Sequence, residues 1–470
     1  MGFNASELVP IMCEEVLPGD TWQHHEGIKA RLATPIAPLV DDLDIETWYY
    51  YVPNRIVDEN WEDFITGVDT DYTVPFIIPL IGAATEVTTG SLFDHFGLPI
   101  LNMDIDPNPW GFNVYPFWAY FMIFNEWYRD QNLQNEYTWD AAPWGTWKYS
   151  NTITNGTAWN GYPLRVNKRS DYFTRSLPWP QKGDPVSLPL GTSAPVVSTG
   201  EQPTVIAPGW VDAPLVATSG SPDIRASGNA SSNAPMVWGT ETGMEADLAA
   251  ATGATLNALR LAAITQQLLE LDARGGSRYI ENLLAHWSVR ASNRSLQRPE
   301  YLGGSRIPIN INPVAQTAAY DAPPDPEVES NLGNLGATMS AGGYKRTFTY
   351  AAEEHGYIIG LAAVRATPTY QQGTRKHWQR RTRLDFWDPL FAGLGEQAVN
   401  TTEIRQPADN TPANETWGFQ ERGAEYRYTP NEITGPMRST APLPMDWWHL
   451  AEEFENEPAL NAAFITDKTQ

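Results

Sequence analysis

A chain of 470 residues can bury a large core, and 42% apolar residues with 19 tryptophans show that it folds. Charged residues make up only 19%, yet 56 acidic against 31 basic side chains leave a formal net charge of −25, which excludes broad binding to nucleic acid or an anionic membrane. The lone cysteine, Cys13, excludes an intrachain disulfide scaffold or a cysteine-based zinc site.

At the N-terminus, MGFNASELVP has neither the basic nor the apolar stretch of a secretory signal, and no apolar run is long enough to span a bilayer. The expectation is a soluble chain folding in a reducing cytosol. Met1-Gly2 with Ser6 fits a myristoylation pattern that is short enough to arise by chance. Thr47–Val52 (TWYYYV) reads as a strand buried on both faces. Phe117–Arg129 follows Pro116 and has no Gly or Pro, which predicts a helix whose apolar residues on all sides imply burial. Ser176–Gly191 (SLPWPQKGDPVSLPLG) cannot be helix or an ordinary central strand, because Pro178, Pro180, Pro185 and Pro189 remove backbone donors and fix φ. With Trp179 it suits a stiff arm laid across its own framework or a neighbouring subunit, or else a core turn.

Between Gly191 and Gly253, Ser, Thr, Gly, Ala and Pro dominate and periodicity fades, which reads as a disordered insertion or a functional surface excursion. Leu256, Leu259, Ala263, Ile264, Leu268 and Leu271 then fall at helical spacing within Thr255–Ala273, closed by Gly275-Gly276. Further strands are predicted near Ile307–Ile311, at Tyr357–Val364 (YIIGLAAV) and near Glu425–Tyr428, and a short helix at Met445–Glu455. Proline (38) and glycine (36) are spread along the whole chain, so helices should be few and connections long. The framework is expected to be mainly β with insertions.

Enzymatic constellations are missing: there is no GxSxG, HExxH, P-loop or CxxC pattern. His24-His25 is the only adjacent histidine pair, and surface histidines far outnumber metal sites, so no metal is expected. Acidic groups at Asp41, Asp42, Asp44 and Glu46, and at Glu452, Glu453, Glu455 and Glu457, keep a paired-carboxylate glycosidase or sugar-binding protein arguable beside the abundant tryptophan. Solvated acidic faces are the plainer reading. From Arg375 to Arg383 (RKHWQRRTR) five of nine residues are basic. Arg375, Lys376, Arg380, Arg381 and Arg383 could bind phosphates while Trp378 stacks on a base, or they could pair with carboxylates of this or another subunit. A weaker basic group includes Arg165, Lys168, Arg169 and Arg175.

LVPIMCEEVLPGDTW (Leu8–Trp22), ATPIAPLVDDL (Ala33–Leu43), YVPNR (Tyr51–Arg55), NEWYRDQNLQ (Asn125–Gln134) and DYFTRSLPWPQKGDPVSLPLG (Asp171–Gly191) stand in order along the chain. They are followed by LQRPEYLGGSRIPININPVAQT (Leu296–Thr317), HGYIIGLAAVR (His355–Arg365) and GFQERGAEYRYTPNEITGPMRS (Gly418–Ser439). This pattern resembles the major capsid proteins of the Microviridae, small single-stranded DNA phages, and most closely the gokushovirus-like branch. The resemblance spans nearly the whole chain outside 135–161 and 192–253.

It implies one jelly-roll domain over 1–470, an eight-stranded antiparallel β-barrel with long loop insertions and a few helices, and no enzymatic activity or cofactor. It also implies a T=1 icosahedral shell of about 60 copies around a circular single-stranded DNA genome, assembled in the host bacterial cytoplasm. The segment 192–253 would form a variable protrusion at the threefold axis that meets a host surface receptor. Other implied partners are a small basic DNA-binding protein and a pilot or minor virion protein, with no membrane insertion. Because shell and genome are both negative, Arg375–Arg383 is expected to face inward, and Lys168 and Arg169 are further candidates for nucleic-acid binding. Family members carry further residues, some basic, ahead of the LVP motif. Either such an arm is absent here or the start codon was placed late.

Overall fold

The computed structural model describes residues 1–35, 37–68, 73–77, 87–100, 112–139, 153–156, 159–187, 256–317, 333, 335–407 and 415–468, with short strands between 196 and 246. The chain divides into two compact units, one of Met1–Lys182 and Glu270–Gln470, the other of Gly183–Leu269. In the first, strands β1 (Val9–Val16), β2 (Thr21–Arg31), β3 (Leu43–Pro53), β4 (Glu300–Pro308), β5 (Asn310–Ala315), β6 (Leu335–Ala351) and β7 (Gly356–Ala366) form two antiparallel sheets. One has the order β1-β7-β3-β4, the other β5-β6-β2. The protein is mainly β, with few helices.

Side chains alternate across a strand, and β3 shows how the core is divided. Leu43, Ile45, Tyr49 and Tyr51 face the second sheet, where they pack with Met339, Ala341 and Phe348 of β6. Trp48, Tyr50 and Val52 face the opposite way, together with Ile359, Leu361 and Ala363 of β7. That outer face is covered by helix α1 (Tyr115–Ile123), in which all residues but Pro116 and Met122 are buried. The continuous apolar runs predicted as strands buried on both faces are thus borne out in β3 and β7. Tyr120 fixes the helix to the sheet margin: its hydroxyl donates to the Leu8 carbonyl at 2.8 Å and accepts from the Leu164 N–H at 2.9 Å. One wide turn over Phe124–Tyr128 ends α1, with the Arg129 N–H bonded to the Phe124 carbonyl.

Two expectations are corrected. Glu425–Tyr428 is no strand: Gly423 takes a left-handed φ of 82° and opens a 3₁₀ turn over Ala424–Tyr426, with the N–H groups of Arg427 and Tyr428 both bonded to the Ala424 carbonyl. Met445–Glu455 holds only a 3₁₀ turn at Asp446–Trp448. Beyond it the backbone bonds outward rather than to itself: the Leu450 N–H donates to Asp41 and the Glu452 N–H to the Thr369 carbonyl. The strand structure expected near Ile307–Ile311 is borne out, as two strands, β4 and β5, divided at Ile309, whose N–H bonds the Leu43 carbonyl.

Helix α2 (Leu256–Gly275) follows the predicted span, and α3 (Tyr279–Trp287) comes after it. In the second unit, Thr204–Ile206 pairs antiparallel with Val237–Trp238 and with Ala213–Ala217, which pairs with Ile224–Ala226. Val196–Ser198 pairs with Met244–Ala246. The stretch without legible periodicity therefore carries strands too short to show one. Pro189 and the rest of 192–253 lie outside the described residues.

Candidate assembly and nucleic-acid surfaces

Period-two alternation sets Asp44 and Glu46 of β3 side by side on the outer face of the first sheet, and registry brings Arg365 of β7 and Arg306 of β4 opposite them. Arg169 completes the group, 2.7 Å from Asp44 and 2.9 Å from Glu46, while Arg306 reaches Asp44 at 2.6 Å and Arg365 is paired with Glu46. Burial pushes the Asp44 carboxyl up, but the hydrogen bonds and charges of Arg306 and Arg169 outweigh it and hold the group below its ordinary value. Arg169 is thus occupied within the chain. So is Lys168, buried and 2.5 Å from Glu452, with its ammonium 4.4 Å from the Phe464 ring centre. Neither side chain is presented to an outside phosphate. Both carboxylates are engaged by guanidiniums.

The Arg375–Arg383 cluster splits in two. Arg375 pairs with Glu432, and Lys376 donates to the Ala398 carbonyl at 2.6 Å and lies 3.8 Å from Glu403. Arg380 lies 2.8 Å from Glu425 with its guanidinium over the Tyr426 ring. Glu403 is buried, and burial pushes its carboxyl up despite the charge of Lys376 and the hydrogen bonds it accepts. These contacts stiffen the base of a loop. Its other half, Trp378, Arg381 and Arg383, is exposed, and the Arg381 and Arg383 side chains have no ion-pair partner among the described residues. The chain continues through Leu384, Phe386 and Leu390, also exposed, the last at 86%. Exposed Leu443 and Trp447 add to the apolar surface of this unit, as do Tyr279 and Trp287 of α3.

The proline-rich segment is pinned at its start, where Leu177 and Phe419 exchange two backbone hydrogen bonds of 2.8 Å. Pro178, Pro180 and Pro185 are exposed and Trp179 half-buried. Proline blocks further pairing there, so the segment runs on as bends.

The second sheet carries a surface that the sequence pattern did not single out. Its inner residues face the sandwich, leaving Gln23, His25, Gly27, Lys29 and Arg31 of β2 and Ser340, Gly342, Tyr344 and Arg346 of β6 exposed in facing rows. His24 and His25 point to opposite sides of β2, as neighbours on a strand must. His24 packs inward on Tyr49 and Phe348, with Nδ1 2.6 Å from the Thr347 hydroxyl, and burial lowers its pKa. His25 stacks outward on Tyr344, ring centres 6.1 Å apart and planes inclined by 13°. The two cannot converge on one ion. Among the described residues no group of His, Cys, Asp or Glu side chains is placed to hold a metal. Burial, reinforced by Glu14, pushes the Cys13 thiol up to about 12, so it stays protonated at neutral pH.

Comparison with known proteins gives a consistent result. A family described as capsid protein (F protein) matches residues 1–470. The chain is 39% identical to capsid protein VP1 of Bdellovibrio phage phiMH2K, over 99% of this chain and 86% of that protein. It is 35% identical to capsid protein VP1 of Chlamydia phage 1, covering 99% and 87%, and 34% identical to that of Spiroplasma virus 4, covering 99% and 85%.

Proposed function

We propose, from the premise that this chain belongs to the capsid protein (F protein) family and is a major capsid protein of the virion, that its copies close a T=1 shell around single-stranded DNA. The observation that carries the assembly reading is the exposed apolar run after the basic cluster, with Trp378, Leu384, Phe386 and Leu390 bare on a loop whose base is held by Arg375, Lys376 and Arg380. A monomeric protein seldom leaves so much large apolar surface together, and a second copy would bury it. Arg381 and Arg383 at its margin suit carboxylates of a neighbour that carries the same net charge of −25. The proline-braced segment through Trp179 serves as an inter-subunit arm in the same reading.

The sandwich supports jelly-roll closure, since early strands pair with late ones in both sheets: β1 and β3 with β7, β2 with β6. The segment 192–253 is assigned to host attachment at a receptor. A small basic protein and a pilot protein are the further virion partners, assembly takes place in the bacterial cytoplasm, and the chain has no enzymatic role. Purified protein examined by electron microscopy should form closed particles of one size, increasingly so as salt screens the acidic surfaces. Leu390→Asp should abolish them while leaving a folded protomer. Monomers that persist at every ionic strength and bind a glycan would turn the assignment to a carbohydrate-binding protein, and normal shells with less DNA in an Arg381→Glu, Arg383→Glu variant would make the cluster a nucleic-acid contact.

A further inference from the structure

We infer that the solvent face of the three-stranded sheet is a binding surface for single-stranded nucleic acid, an inference that deepens the reading of a DNA-enclosing shell and rests on it. The charge pattern is the first ground. Strands β2, β5 and β6 contain one carboxylate, Glu26, and it is buried, accepting hydrogen bonds from Thr47 and Ser305 on the inner side. In a chain with 56 acidic side chains the outer face of this sheet has none, while Lys29, Arg31 and Arg346 stand on it.

None of the three cations is tied to a carboxylate among the described residues. Arg346 donates only to the Thr349 hydroxyl at 2.7 Å, a neutral contact that leaves its charge open. Lys345, by contrast, is engaged with the Gly304 carbonyl at 3.0 Å.

The second ground is the aromatic platform. Tyr344 is 77% exposed and lies opposite Gly27, which has no side chain to cover it; a Cβ there would stand 3.7 Å from the ring. One neighbour on the face, His25, already stacks on it. A flat, exposed ring with cations to either side is what a nucleotide chain needs, phosphates to the guanidinium and ammonium groups and a base to the ring. From the His25 and Arg346 row to the Arg31 and Ser340 row the face runs about 20 Å at strand rise. Asn310 and Asn312 of β5 extend it with exposed amides that can bond phosphate or base edges.

The full chain is tested by the anisotropy of a labelled oligothymidylate over a salt series, beside electron microscopy and nuclease-protected DNA per particle. A Lys29→Gln, Arg31→Gln, Arg346→Gln variant should flatten the slope of log affinity against log salt by about 2, at about 0.7 per lost phosphate contact. Tyr344→Ala should weaken binding about 5- to 150-fold, and Tyr344→Trp should restore it. Ultraviolet cross-linking of unaltered particles should place an adduct on the peptide that carries Tyr344. Unchanged slope and affinity in these variants overturn the inference, and so do adducts confined to Arg375–Arg383. Lost assembly with unchanged oligonucleotide binding by the free protomer also overturns it, making the face a contact between copies. Wild-type chain that binds the oligonucleotide through Tyr344 but forms no particles would uphold this site and sink the shell.

Discussion

The two sheets of the sandwich share one interior but meet different surroundings on their outer sides. The first is covered by α1 and by the arginine–carboxylate ladder, so nearly every residue of β3 and β7 is buried. Among the described residues the second is covered on its inner side alone, and β2 and β6 alternate between core and solvent. Burial on both faces commits a strand to stability, and any change there leaves a cavity or an unpaired group. A bare face is free to carry chemistry, because what stands on it is not needed to hold the fold. If that contrast is real, substitutions on the first sheet should unfold the protomer, and those on the outer side of the second should change binding alone.

The largest loss is expected at the ladder. Glu46→Ala strands Arg365, leaves Arg169 with Asp44 alone, and should cost about 3–5 kcal/mol in urea unfolding of unassembled protomers. Its neighbour adds a pH signature. A carboxyl held below its ordinary value contributes stability that is complete above the unfolded value and disappears as pH falls through the folded one. Asp44→Asn should therefore be less stable at neutral pH and show a smaller further loss between neutral and strongly acid conditions than the unaltered protein. An identical acid response in both would remove Asp44 from the ladder. Next comes Leu361→Ala in β7, where the side chain is fully buried against the α1 layer; about 2–5 kcal/mol should be lost. Smaller again is Tyr120→Phe. It keeps the ring but leaves the Leu164 N–H and the Leu8 carbonyl without their buried partner, at about 1–3 kcal/mol.

This contrast also explains which parts of the molecule were legible in its sequence. TWYYYV and YIIGLAAV are continuous because both of their sides are buried, and a run of that kind announces a strand without reference to its neighbours. TWQHHEGIKAR on β2 alternates, but its inner positions include His24 and Glu26, polar groups whose burial depends on Thr347, Thr47 and Ser305 far along the chain. Nothing local reveals that. The surface rows of β2 and β6 become one face only through a registry that joins residues more than 300 positions apart, as Gly27 does Tyr344. The basic cluster was visible as a run, but its division into a paired base and an exposed half depends on Glu425 and Glu432, again supplied by tertiary structure. Glu425–Tyr428 misled for a related reason: a strand signal carried by so few residues gives way to the turn opened by Gly423.

The smallest expected effect is the most informative about the second sheet. Tyr344→Ala removes a large ring, and on β7 a change of that size would be among the worst available. On β6 the ring is exposed, lies beside Gly27 and stacks on His25. Surface positions of this kind change stability by no more than about 0.5 kcal/mol. Protomer unfolding of the variant should then overlay that of the unaltered chain while its oligonucleotide affinity falls. A loss of stability as large as that of Leu361→Ala would mean that the face is packed against something in the folded protein, and the division between a covered sheet and an open one would fail.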